Sequence, residues 1–151
     1  MRLAEALQER ADLNSKISDL EVRLDRNILV QEGEAPNEEP KDLKKELDDC
    51  IERLAYLISA INKTNCEIKV DGKSITELLA RKDALNLKVS AYRDAIGVGN
   101  SSTNRARGTE IKLIPVIDVK AWQKEADELS KEIRLIDNRI QETNWTTDLI
   151  E

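Results

Sequence analysis

Apolar residues recur in alternating steps of three and four through four tracts of this chain, residues 3–31, 43–65, 75–96 and 119–143. Such spacing keeps one narrow stripe on one side of an α-helix, and the stripe must be buried against another helix or another subunit. The tracts fill most of the 151 residues. They predict a mainly α fold in which long antiparallel helices form a bundle or a coiled-coil hairpin arrangement, as a single domain over residues 1–151. The core has to be aliphatic, because the chain has no Phe and its aromatics are only Tyr56, Tyr92, Trp122 and Trp145.

In the first tract Leu3, Ala6, Arg10, Leu13, Ile17, Leu20, Leu24, Asn27 and Gln31 make the seam. Gly33 then ends the helix, Pro36 and Pro40 forbid its continuation, and Pro40 can open the next. The second tract carries Leu43, Leu47, Cys50, Leu54, Leu57 and Ile61, with Ile51 and Ile58 widening its face, and is expected to be the most buried. Residues 67–70 alternate as a short strand and meet the turn dipeptide Asp71-Gly72. Ser74 and Glu77 form a capping box for a third helix. This helix shows Ile75, Leu78, Leu79, Lys82, Leu85, Val89, Tyr92 and Ile96 on one side and is expected to stop near Gly97 and Gly99. A mobile loop near residues 99–109 follows. Residues 110–117 then have strand composition, and are expected to pair with residues 67–70 as a small two-stranded β element around Leu113. Asp118 is placed to cap the last helix, whose seam is Val119, Trp122, Ala126, Leu129, Ile133, Ile136, Ile140 and Thr143.

The chemistry of the sequence is mostly exclusion. With no His, the arrangements Ser-His-Asp, Cys-His and Glu-x-x-His are absent, and no residues group as a catalytic, cofactor-binding or metal site. Glu46, Asp48, Asp49 and Glu52 crowd one helix, but acids interleaved with Lys and Arg read as a solvated face. Cys50 and Cys66 are read as buried thiols that cannot bridge within one helix. A net charge of −6 disfavours nucleic acid and anionic membranes as general partners. No apolar run approaches the roughly 20 residues of a membrane span. The first residues enter a charged helix rather than a secretory leader, which predicts a cytoplasmic protein. Arg105 and Arg107, followed by Lys112, are the candidate anion contact, because guanidinium forks match phosphate. Arg10, Asn27 and Lys82 interrupt the seams, where a polar group can set register or oligomeric state.

Short segments along nearly the whole chain carry a resemblance: residues 2–7 (RLAEAL), 30–34 (VQEGE), 61–65 (INKTN), 76–83 (TELLARKD), 109–112 (TEIK) and 140–145 (IQETNW). Their order and spacing resemble a family of small bacterial proteins that carry the septicolysin name. The resemblance implies a mainly helical bacterial protein with no catalytic residues to carry over, and the name implies a cytolytic or pore-forming activity.

The leading expectation is a non-enzymatic cytoplasmic protein that self-associates through its helices, without cofactors. The expected oligomer interface is Leu13, Ile17, Leu20 and Leu24 on the first helix with Leu129, Ile133, Ile136 and Ile140 on the last, because so few large side chains leave their stripes hard to cover. A pore-forming role is the alternative. A phosphate or nucleic-acid binder working through residues 99–112 is the third.

Overall fold

The computed structural model describes residues 1–101 and 111–151. The fold is mainly α, with four helices in chain order, α1 (Leu3–Asn27), α2 (Pro40–Glu67), α3 (Ile75–Asn100) and α4 (Val119–Thr146). A two-stranded antiparallel sheet, β1 (Lys69–Val70) with β2 (Lys73–Ser74), lies between α2 and α3 in sequence. The chain divides into two compact units, residues 1–69 with 142–151 and residues 70–141.

In the first unit α1 and α2 pack closely as an antiparallel hairpin. Leu20, Leu43 and Cys50 are buried together, with Leu13, Ile17, Leu24 and Leu47 packed around them. Fully burying an aliphatic side chain of this size stabilises the fold by about 1.5–3 kcal/mol. Pro40 stands at the first position of α2, where its missing N–H costs nothing. The α1 helix stops at Asn27, four residues before the periodic pattern does. Asn27 is buried; its Nδ2 donates to the Arg23 carbonyl at 2.8 Å and its Oδ1 accepts the Glu38 N–H at 3.0 Å. One amide therefore ties the last turn of α1 to the returning chain, and Gln31 falls outside the helix. Ile51 and Ile58 do not join the core, remaining 44% and 42% exposed. Cys66 is also exposed, against the expectation of two buried thiols.

One flank of this hairpin is lined by ion pairs. Arg53 holds Glu9 through Nε and Nη2 at 2.7 and 2.8 Å, Lys16 meets Glu46 at 2.7 Å, and Arg23 grips Glu38 through both Nε and Nη2. The α1 members are spaced by whole heptads while their partners run back along α2 to Glu38 just before it, which is the register of antiparallel helices. At the other end of the hairpin the C-terminal residues pair with the start of α1: the Leu3 N–H donates to Thr147 O and the Leu149 N–H to Met1 O, both at 2.9 Å. The Ile150 N–H donates to the buried hydroxyl of Thr64, and that hydroxyl donates to Ala60 O.

In the second unit the sequence places the turn correctly and the strand partner wrongly. Asp71 and Gly72 take left-handed φ values of 52° and 83°, which make the turn of a tight hairpin, so β1 pairs with β2 immediately beyond it. Residues 113–117 are irregular rather than the partner of residues 67–70. The local hairpin wins because it closes a far shorter loop. The capping box forms, with the Glu77 N–H donating to Ser74 Oγ and the Ser74 N–H to the Glu77 carboxylate. The α3 helix ends at Asn100, one residue past Gly99 and near the expected stop, with both glycines inside it. Asp118 caps α4, its Oδ1 accepting from the Ala121 N–H at 3.0 Å. The two helices meet through a tilted Tyr92–Trp122 ring contact at 5.7 Å. Polar bridges join them as well: Lys82 to Asp137 at 2.8 Å, Arg81 to Glu132 at 3.1 Å, and Arg93 to Ser130 at 2.9 Å.

Candidate functional site

The charged side chains with displaced pKa values do not gather around a cleft. Hydrogen bonds from their basic partners hold Glu9, Glu46 and Glu38 below the usual carboxylate range and raise Lys16, Arg53 and Arg23. These are the ion pairs along the hairpin flank. Asp48, one of the crowded acids, raises Lys44 by the same means. Tyr56 is pushed up by partial burial and by the neighbouring Glu151, while the Arg53 guanidinium lies 5.2 Å from its ring centre. A raised phenol keeps its proton at neutral pH and offers no base. Among the described residues no group of three or more acidic or cysteine side chains is placed to hold a metal ion.

Exposed aliphatic side chains, by contrast, are concentrated at two places. At the tip of the α1/α2 hairpin Ile28, Leu29 and Val30 are 58%, 86% and 48% exposed. They follow the early stop of α1, and Gly33 at φ 88° carries the chain around behind them. In the second unit Val98, Leu113, Ile114 and Val116 are all at least half exposed around an apolar cleft of about 460 Å³. Ala95, Gly99, Ser101, Pro115, Ile117 and Trp122 complete its lining. Gly99 makes the cleft possible. A Cβ at that position would stand 2.9 Å from Val119 Cγ2 and 3.7 Å from Pro115 Cβ, so only a bare backbone lets residues 115–119 lie this close to α3.

The residues singled out from sequence separate accordingly. Leu13, Ile17, Leu20 and Leu24, expected at an oligomer interface, face α2 within the hairpin. On α4, Leu129, Ile133 and Ile136 are half-buried and Ile140 is buried. Among the seam polar groups, Asn27 closes the hairpin mouth, Lys82 reaches Asp137, and Arg10 is half-buried on α1. Arg105 and Arg107, with most of the expected mobile loop, lie outside the described residues; Lys112 is exposed. Sequence reasoning missed both the cleft and the tip. The signals were present, as the apolar run at residues 113–117 and the Ile28, Leu29, Val30 triplet, but the first was read as a strand and the second as helix.

Comparison with known proteins fits this geometry without adding an activity to it. Residues 10–149 match the model of a family of unknown function (DUF6847). The chain belongs to this family. A crystal structure of a functionally unknown conserved protein from Corynebacterium diphtheriae is similar to it over 99% of both chains, with 34% identity and a TM-score of 0.89. No curated protein matches the chain. For this member of DUF6847, function therefore has to be argued from its own surfaces.

Proposed function

We propose that this DUF6847 protein is a non-enzymatic cytoplasmic protein that acts by self-association. The observation that carries the reading is the concentration of exposed aliphatic side chains at residues 28–30 and around the cleft of the second unit. Scattered apolar side chains are ordinary on a protein surface, but contiguous ones mark a surface that is covered by a partner. The α1 seam first expected at the interface packs on α2 within the chain. Among the described residues the tip and the cleft group the most exposed aliphatic side chains together. The titratable groups with displaced pKa values are, Tyr56 apart, members of ion pairs on α1 and α2 and the turn between them, which favours a structural role over a catalytic one. Cys50 and Cys66 sit on one helix, too far apart along it to pair with each other, and this suits a reducing compartment.

Sedimentation velocity across a range of micromolar concentrations tests the reading. The expected result is a mass above that of one chain that rises with concentration. A single-chain mass throughout would sink it. Dye-loaded vesicles provide a second arm for the lytic role that the septicolysin resemblance implies. No helix among the described residues is long and apolar enough to cross a membrane. Concentration-dependent leakage would move the assignment to that alternative.

A further inference from the structure

We infer that the contact is head to tail: the hairpin tip, Ile28, Leu29 and Val30, of one copy enters the apolar cleft of the second unit on another copy. This rests on the self-association reading and names its two surfaces. The tip is convex and aliphatic, and it offers no side-chain hydrogen bond that a partner would have to match. The cleft is concave, and at about 460 Å³ it falls within the size range of sites that enclose a bound group. Among its described lining residues the polar side-chain groups are the Ser101 hydroxyl, which donates to the Val98 carbonyl at 2.6 Å, and the Trp122 indole N–H. A small polar ligand would find little there to orient it, whereas an aliphatic loop needs nothing more.

Charge selects a second copy as the occupant. From residue 28 to residue 40 the sequence carries Glu32, Glu34, Glu38 and Glu39 and no basic residue. Glu38 is paired with Arg23, so Glu32, Glu34 and Glu39 are the unpaired acids that follow the apolar triplet in sequence, with Arg26 before it and Lys41 after the turn. Among the described residues the charges beside the cleft lean the other way. Lys112 and Lys120 are exposed beside its lining and Arg93 lies one turn before Val98; opposing them are Asp94 and Asp118, the latter occupied as the cap of α4. In a chain of net charge −6 this is a place where an acidic loop is not repelled. An anionic membrane, by contrast, would repel the tip.

Such a contact is heterologous, so it can be tested by complementation. Leu29→Asp spoils the tip and Val116→Asp spoils the cleft. Both side chains are exposed, at 86% and 97%, so neither change should alter the helical circular dichroism or the melting profile. Each variant alone should lose association by about tenfold or more, because docking would bury an unpaired carboxylate. An equimolar mixture should then form a pair and nothing larger, since one variant keeps a cleft and the other keeps a tip. Sedimentation velocity reads all three samples. If the wild type is monomeric, the self-association reading fails and this contact fails with it. If the wild type assembles and the variants assemble equally well, or if both dissociate and mixing restores nothing, the head-to-tail contact is overturned while self-association stands.

Discussion

Leu20, in the second half of α1, is completely buried against α2, whereas Ile136, in the second half of α4, remains half-exposed. The two helical pairs arise from the same kind of periodic sequence, yet the first closes on an aliphatic seam flanked by ion pairs, whereas the second buries Leu85, Val89, Ile96 and Ala126 and adds a ring contact and polar bridges between its helices. Side-chain size explains much of this. Ala6, Leu13, Leu43, Cys50 and Ala60 let α1 and α2 approach closely, while Tyr92, Trp122 and Lys82 stand between α3 and α4 and hold their axes further apart. Periodicity decides that helices will pair. The identity of the seam residues decides how much water the pairing excludes.

The largest expected effect tests that distinction directly. Leu20→Ala should cost about 2–5 kcal/mol and Leu20→Asp should prevent folding, because no water or partner can reach that site. Ile136→Ala should cost less, in proportion to its smaller burial, and Ser18→Asp, on the exposed face of α1, should change little. Urea titration followed by circular dichroism measures all four. Equal losses at Leu20 and Ile136 would break the comparison.

The next effect separates the polar residues on the two seams. Asn27→Ala leaves the Glu38 N–H and the last turn of α1 without their shared partner, at a cost of about 1–3 kcal/mol. Lys82→Met removes one member of a partly exposed ion pair, and should be nearly neutral because its aliphatic stem is retained. Thermal melts of the two variants decide. A loss at Lys82 as large as that at Asn27 would mean that the α3/α4 seam depends on its polar bridge.

How much of this could be read from sequence depends on the range of the cause. The four helices, the Pro40 start, the Ser74–Glu77 box and the Asp118 cap were legible because each depends on residues within one or two turns. The end of α1 was not. Its periodicity continues to Gln31, and what stops the helix is a hydrogen bond that Asn27 accepts from Glu38, a residue that comes back only after the turn. The strand at residues 67–70 was legible, but its partner was chosen by composition when closeness in the chain decided it. For the site, the triplet at residues 28–30 and the run at 113–117 were visible as apolar residues. Their exposure depends on which surfaces the other helices leave uncovered, and that information is tertiary.

The two glycines near the end of α3, Gly97 and Gly99, give a smaller and more local test. Both lie within helix, and neither has a left-handed φ. Gly97 has open space where a Cβ would go, so Gly97→Ala should stabilise the protein by about 0.5–1 kcal/mol through reduced backbone entropy. Gly99→Ala gains the same entropy but drives a methyl group to 2.9 Å from the stiff side chain of Val119. Overpacking of this kind costs about 1–3 kcal/mol, so the net effect should be zero or destabilising. Differential scanning calorimetry of the pair reads the sign. If both alanines stabilise equally, residues 115–119 are not held against α3 and the cleft has no fixed wall.

The smallest effect belongs to the ion pairs along α1 and α2, and it appears as a dependence on pH. Glu9, Glu38 and Glu46 are held below the usual carboxylate range by hydrogen bonds from Arg53, Arg23 and Lys16. A carboxylate with a lowered pKa in the folded state contributes stability that is fully present above the unfolded value of about 4.3 and is lost as pH falls through the folded value. The pairs are substantially exposed, so each contributes little and salt weakens it further. Replacing all three glutamates with glutamine should therefore lower the melting temperature modestly at neutral pH. It should also flatten the fall of the melting temperature between pH ~5 and ~3, because the variant has no such protons to take up. An acid limb as steep in the triple variant as in the wild type would show that these pairs set the register of the hairpin without stabilising it.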